Sequence, residues 1–194
     1  MKIIYIMGKS ASGKDTIYHK LKEKLNIASY VMYTTRPMRE GEKEGLSYYF
    51  ISYDDMQKYI ENKMPNPLIE ERTYQTVYGP WIYATILDEQ FKGNSALLMT
   101  GTLESYKKVK EYFQNKKDVD VKPIYIEVPD RIRLERAILR EDKEKEPKYV
   151  EMCRRFVADS QDFSEEKLQK CEITNKYMNI DLEECLQKII DDLK

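Results

Sequence analysis

The 194-residue chain is predicted to fold as an α/β protein with a parallel sheet flanked by helices, on three observations. Short apolar runs recur along it, stretches of helical periodicity follow them, and the first run leads into a glycine-rich loop. "KIIYIM" (2–7) has the composition of a buried strand. "KDTIYHKLKEKL" (14–25) places Ile17, Leu21 and Leu25 at helical spacing. "SYVMYTT" (29–35), "SALLMTG" (95–101) and "VKPIYIEV" (121–128) predict further buried strands. Helical patterns follow the last two, at "TLESYKKVKEYF" and "RIRLERAILR". Strand–helix alternation of this kind implies right-handed crossovers and a parallel sheet. A final helix near Leu182–Leu193 closes one face of it, with apolar residues at 182, 186, 189, 190 and 193.

Two stretches stand outside the alternation. Residues 36–78 combine "LSYYFIS", a short helix at "DDMQKYIEN" and "LIEERTYQTVYG", which reads as a small mixed insertion. "REDKEKEPK" (140–148) is a charge run, either a solvated loop or a mobile lid. No internal repeat or flexible linker divides the chain, so one domain is expected.

Composition narrows the class of partner. The net charge of −1 gives no basic field for nucleic acid, so any anion site must be local. Cys153, Cys171 and Cys185 form an odd, widely spaced set, unlike a disulfide framework or zinc site. The apolar start at Lys2–Met7 is too short for a signal or membrane segment, and a cytoplasmic protein with no membrane partner is expected. His19 reads as structural or surface, and Trp81 as loop packing or a base-stacking residue.

"GKSASGKDT" (8–16) nearly matches the phosphate-loop pattern G-x-x-x-x-G-K-[S/T], with Asp15 where a hydroxyl residue follows the lysine. Glycines at 8 and 13 let backbone N–H groups converge, the helix start adds its positive end, and Lys14 adds a full charge. The loop from Gly8 through Ser10, Ala11, Ser12, Gly13, Lys14, Asp15 and Thr16 is therefore the candidate ATP site. Next comes "TTRPMREGEKEGLSYYF" (34–50), in which Arg36 and Arg39 precede tyrosines that include Tyr48. Charged forks and hydroxyl donors so placed suit a phosphate monoester.

This second stretch resembles guanylate kinases almost letter for letter, and the resemblance extends over nearly the whole chain. It implies a P-loop nucleoside monophosphate kinase: a core of residues 1–34, 80–135 and 165–194, an acceptor-binding insertion at 35–79, and a helical lid at 136–158. Arg36, Arg39, Tyr48 and Tyr78 match the residues that grip the acceptor phosphate, and Glu70 matches the one that reads the base. Guanine offers N1–H and its 2-amino group side by side to one carboxylate. Arg136, Arg140 and Arg155 resemble the arginines that close on the transferring phosphoryl group, and Asn175 the contact to the ATP base. The implied ligands are ATP with Mg²⁺ and an acceptor, GMP, dGMP or another nucleoside monophosphate.

The pattern also breaks. Met32 and Tyr33 stand where the family has serines, Pro80 where it has a hydroxyl residue, and Met99–Gly101 where it has an acidic strand end. A same-fold kinase for another acceptor, such as a deoxynucleoside monophosphate or a ribose bisphosphate, is therefore an alternative. A non-catalytic phosphopeptide-binding module is another. Asp15 has two readings: a metal ligand replacing the missing hydroxyl and acid, or a carboxylate favoured in the first helical turn.

Overall fold

The computed structural model describes residues 1–76 and 79–194. Its larger sheet is wholly parallel, in the order β2 (Ala28–Ser29), β7 (Ala96–Thr100), β1 (Lys2–Gly8), β8 (Asp120–Glu127), β9 (Lys176–Met178). The central strand β1 is buried on both faces, and alternation sorts its side chains between two cores. Ile3, Tyr5 and Met7 pack with α3 (Leu103–Phe113) and α6 (Glu165–Lys170) through Tyr106, Val109, Phe113 and Leu168. Ile4 and Ile6 pack on the other side against α1 (Lys14–Leu25) and α7 (Leu182–Leu193), through Ile17, Leu21, Leu186 and Ile189. Both flanking helices match the spans expected from periodicity.

A second, four-stranded sheet runs β4 (Tyr49–Phe50), β3 (Tyr33–Thr34), β6 (Gly79–Ile86), β5 (Leu68–Thr76). The sequence reading starts the returning core at residue 80, whereas β6 belongs to this second sheet as far as Ile86. "SYVMYTT" differs from expectation too: it is two short strands in two sheets, not one buried strand. The split has local causes. Tyr30 N–H continues the first ladder to Leu98 C=O, but Val31 N–H turns to the Gln90 side chain, and Tyr33 then pairs with Tyr49 and Ala84. Helix α2 (Tyr53–Ile60), capped by Ser52 Oγ on Asp55 N–H, packs Met56 against Ile82 and Ala84.

Helices α4 (Asp130–Glu141) and α5 (Tyr149–Asp162) flank the charge run, and α4 packs on α5. Among the described residues, no helix is long and apolar enough to cross a membrane.

Candidate active site

Strand β1 ends where the strand order of the parallel sheet reverses, with β7 on one side and β8 on the other. Ligands of open α/β sheets bind at such a crevice. The loop from Gly8 crosses that end and enters α1 at Lys14. Gly13 has φ +83°, and a Cβ there would lie 2.5 Å from Asn179 Nδ2, so backbone conformation and space both demand glycine. Ala11 holds a left-handed φ of 60° without being glycine, strain of the kind that surroundings must enforce. No side chain caps the first turn of α1, which leaves its N–H groups for an anion.

Three residues that sequence reasoning missed brace this loop. Asn179, 4% exposed, donates from Nδ2 to Ser12 C=O at 2.7 Å. Asp159 on α5 accepts from Ser10 N–H at 2.8 Å. Arg133 on α4 donates to Ser10 C=O at 3.0 Å and to Asp159 Oδ2 at 3.3 Å, and its remaining nitrogens meet Asp130 Oδ1 at 3.1 and 2.8 Å. Its guanidinium also stacks 4.3 Å from the Phe156 ring centre. Arg133 shares the buried stripe of α4 with Ala137, and a charge there needs buried partners.

Lys14 Nζ meets Asp15 Oδ1 at 2.6 Å, with the aspartate side chain 75% exposed. Asp15 thus lies in the first turn of α1 paired to the loop lysine rather than to helix N–H groups. Of the arginines matched to the lid, Arg136 is tied to the loop's own support, donating to Asn179 C=O at 3.1 Å. Arg140 and Arg155 are about half exposed and pair with Glu141 (3.7 Å) and Glu151 (2.8 Å). Arg154 and then Arg155 hold the Glu151 carboxyl down to about 2. Asn175 is exposed, and His19 lies on the surface edge-on to Tyr18. Tyr78 lies outside the described residues.

Of the residues matched to the acceptor site, Arg36, Arg39 and Tyr48 come together on the second sheet. Arg36 is buried (3% exposed), and its fork grips Glu42 at 2.9 and 2.7 Å while Nε donates to Tyr83 Oη at 3.1 Å. The guanidinium lies over the Tyr48 ring at 5.2 Å, and Arg39 lies over Trp81 at 6.0 Å. Glu42 also accepts Arg39 N–H at 2.7 Å, so one carboxylate sets both arginines. Arg36 holds the Glu42 carboxyl below the usual glutamate range despite partial burial. Its stabilising effect is therefore present above the unfolded glutamate pKa and is lost as pH falls through the lower folded value. Glu42→Ala is expected to raise the acceptor KM about tenfold or more, the worth of one charged hydrogen bond, with the KM for ATP unchanged. Initial-rate kinetics varying each substrate in turn will show whether the effect is confined to the acceptor.

At the inner end of this face Glu70 is buried. Its Oε1 accepts from Thr85 Oγ1 and Ser105 Oγ, both at 2.9 Å. With Ser105 donating to Glu70, the Tyr5 hydroxyl must donate to Ser105, 2.5 Å away, and burial keeps that phenol protonated by pushing its pKa up. Gly101 makes room for it, since a Cβ there would sit 2.2 Å from Tyr5 Oη. Glu70 is thereby tied to strand β1 three residues before Gly8, roughly 10 Å along the strand from the phosphate loop.

Comparison with known proteins gives the family. The family model described as "Guanylate kinase" matches residues 1–192. A guanylate kinase of Prochlorococcus marinus (strain MIT 9312) is 32% identical over 147 residues, 75% of this chain and 74% of that protein. One from Chlorobium luteolum is 30% identical over 159 residues, 71% of this chain and 76% of its own. The crystal structure of guanylate kinase from Anaplasma phagocytophilum superposes with a TM-score of 0.59 at 23% identity, covering 99% of this chain and 84% of that one, a likeness of fold. With a phosphate loop at the end of β1, an arginine–tyrosine face on a second sheet and a family match from end to end, the chain belongs to the guanylate kinase family.

Proposed function

We propose that the protein transfers the γ-phosphoryl group of ATP to GMP or dGMP, giving ADP and the nucleoside diphosphate. The observation that carries this reading is the chain of contacts from Glu70 through Ser105 to Tyr5 of β1, the strand that ends in the phosphate loop. This relay links the proposed acceptor face of the second sheet to the strand that leads into the proposed donor loop. ATP lies on the loop Gly8–Thr16, its phosphates on the α1 N–H groups and Lys14, with Asn175 toward its base. The acceptor phosphate is gripped by Arg36, Arg39, Tyr48 and Tyr78, and the base by Glu70. In this division the second sheet is the acceptor-binding part and residues 136–158 form the lid.

The reaction needs no protein nucleophile. An anionic oxygen of the acceptor phosphate forms the new bond to the γ-phosphorus. The bond to the bridging oxygen breaks, and its electron pair leaves with ADP. What the chain supplies is alignment and positive charge: Lys14 on the donor phosphates, Arg36 and Arg39 on the acceptor, and Arg136, Arg140 and Arg155 around the group in flight. Closure of the lid excludes water, which suppresses hydrolysis of ATP.

Among the described residues no cluster of three or more His, Cys, Asp or Glu converges to hold a metal unaided. The donor set instead fits the Mg²⁺ that accompanies ATP, which keeps several waters and takes one or two carboxylates beside phosphate oxygens. Asp15, exposed at the loop, would hold it, directly or through water. When bound, the ion neutralises charge on the phosphate oxygens. The described cysteines are unpaired, which suits a reducing cytoplasm.

A coupled assay of ADP release with ATP, Mg²⁺ and a panel of ribo- and deoxyribonucleoside monophosphates tests the reading. GMP and dGMP are expected to give the highest turnover among the common bases. Absence of ADP release with every acceptor would overturn it.

A further inference from the structure

Under the acceptor face two buried atoms have no hydrogen-bond partner, Glu70 Oε2 and Arg72 Nε. They face each other at 3.6 Å, too far for a hydrogen bond, with side chains 0% and 10% exposed. The rest of the Arg72 guanidinium is held loosely. Nη1 is 3.4 Å from Thr102 Oγ1, and Nη2 is 3.5 Å from Met32 Sδ. Glu70 Oε1, by contrast, already accepts from two hydroxyls, which uses both of its lone pairs. In register, Arg72 stands opposite Tyr83, between the Glu70–Thr85 pair and the Tyr74–Trp81 pair. Tyr83 is the residue that accepts from Arg36. Arg72 therefore sits between the base carboxylate and the phosphate grip.

We propose that Arg72 is a specificity-determining residue of the acceptor site. With Glu70 Oε2 it presents a donor beside an acceptor, matching a base edge that carries a carbonyl next to a ring N–H. The inference rests on the kinase reading above and narrows it. A 6-oxopurine satisfies both groups: its carbonyl accepts from Arg72 and N1–H donates to Oε2. A 6-aminopurine in the same pose sets donor against donor and acceptor against acceptor, which strands buried polar groups and is strongly rejected. The 2-amino group of guanine finds no second carboxylate oxygen free to pair with it, because Oε1 is taken. The site thus reads the 6-oxo edge and ignores the 2-amino group, where the sequence expectation had both guanine donors on one carboxylate.

The test is kcat/KM for GMP, inosine 5′-monophosphate (IMP) and AMP at saturating ATP, in the wild-type protein, Arg72→Met and Arg72→Lys. In the wild type, GMP and IMP are expected within about tenfold of each other and AMP about a hundredfold or more below both. Both variants are expected to lower GMP and IMP alike and to shrink the GMP-to-AMP ratio about tenfold or more, with the KM for ATP unchanged. Arg72→Lys keeps a charge beside Glu70 while losing the planar fork, so it reports even where Arg72→Met does not fold. A wild-type preference for GMP over IMP above about tenfold overturns the inference, and so does a GMP-to-AMP ratio that either folded variant leaves unshrunk. Those results leave GMP kinase activity standing. A wild-type protein that phosphorylates none of the three removes the kinase reading and this inference together.

Discussion

Replacing Lys14 with methionine is expected to lower kcat by about a thousandfold, the upper end of what one preorganised transition-state donor contributes. Methionine matches the length of the lysine stem and suits a helix almost equally, so α1 keeps its first turn. What disappears is the charge at the mouth of the loop, where α1 begins without a side-chain cap. The Lys14–Asp15 pair is largely solvated on its aspartate side (75% exposed), so the melting temperature should not move. Steady-state kinetics beside a thermal melt separates the two effects. A kcat within about tenfold of the wild type would mean that Lys14 does not act on the transferring group.

The second large effect falls on stability. Arg133 is fully buried, and its partners Asp130 and Asp159 have side chains 57% and 16% exposed. Arg133→Met leaves Asp159 charged with its cation gone and strips Ser10 C=O of its donor, at an expected cost of about 3–5 kcal/mol. Because Ser10 lies in the phosphate loop, the KM for ATP should rise as well. Adding Asp159→Asn removes the stranded charge and keeps an acceptor for Ser10 N–H, so the double variant is expected to recover at least about half of the loss. Urea denaturation of the single and double variants measures it. Additive losses would show that the two side chains are not coupled.

Legibility in the sequence followed periodicity and local motif. Ile17 and Leu21 face the core as their spacing requires, and α7 buries Leu186, Ile189 and Ile190 as expected. The loop and the "TTRPMRE" stretch carried the family resemblance because their motif residues are neighbours in the chain. Arg72, Arg133, Asp159 and Asn179 were not readable, since much of their meaning comes from contacts with residues 26 to 167 positions away. In a chain that is 35% charged, a buried arginine looks like any surface arginine until its partners are known. "SYVMYTT" misled for a related reason. Its composition describes burial, and both halves touch buried surfaces, but the step from one sheet to the other depends on Gln90, far along the chain.

The apolar interior is divided unequally. Two large clusters sandwich the parallel sheet, while the second sheet has a small one of its own around Met56, Ile82 and Ala84. Its attachment to the core combines Ile69, which joins one of the large clusters, with polar contacts of Glu70 and Arg72. Such a division is expected to give two cooperative units with different opening free energies. Amide protons of β3 and β4 should then exchange with solvent through sub-global opening, while those of β1, β7 and β8 await unfolding of the whole domain. On this expectation the proposed grip on the acceptor is built on the softer unit, and the phosphate loop on the harder one.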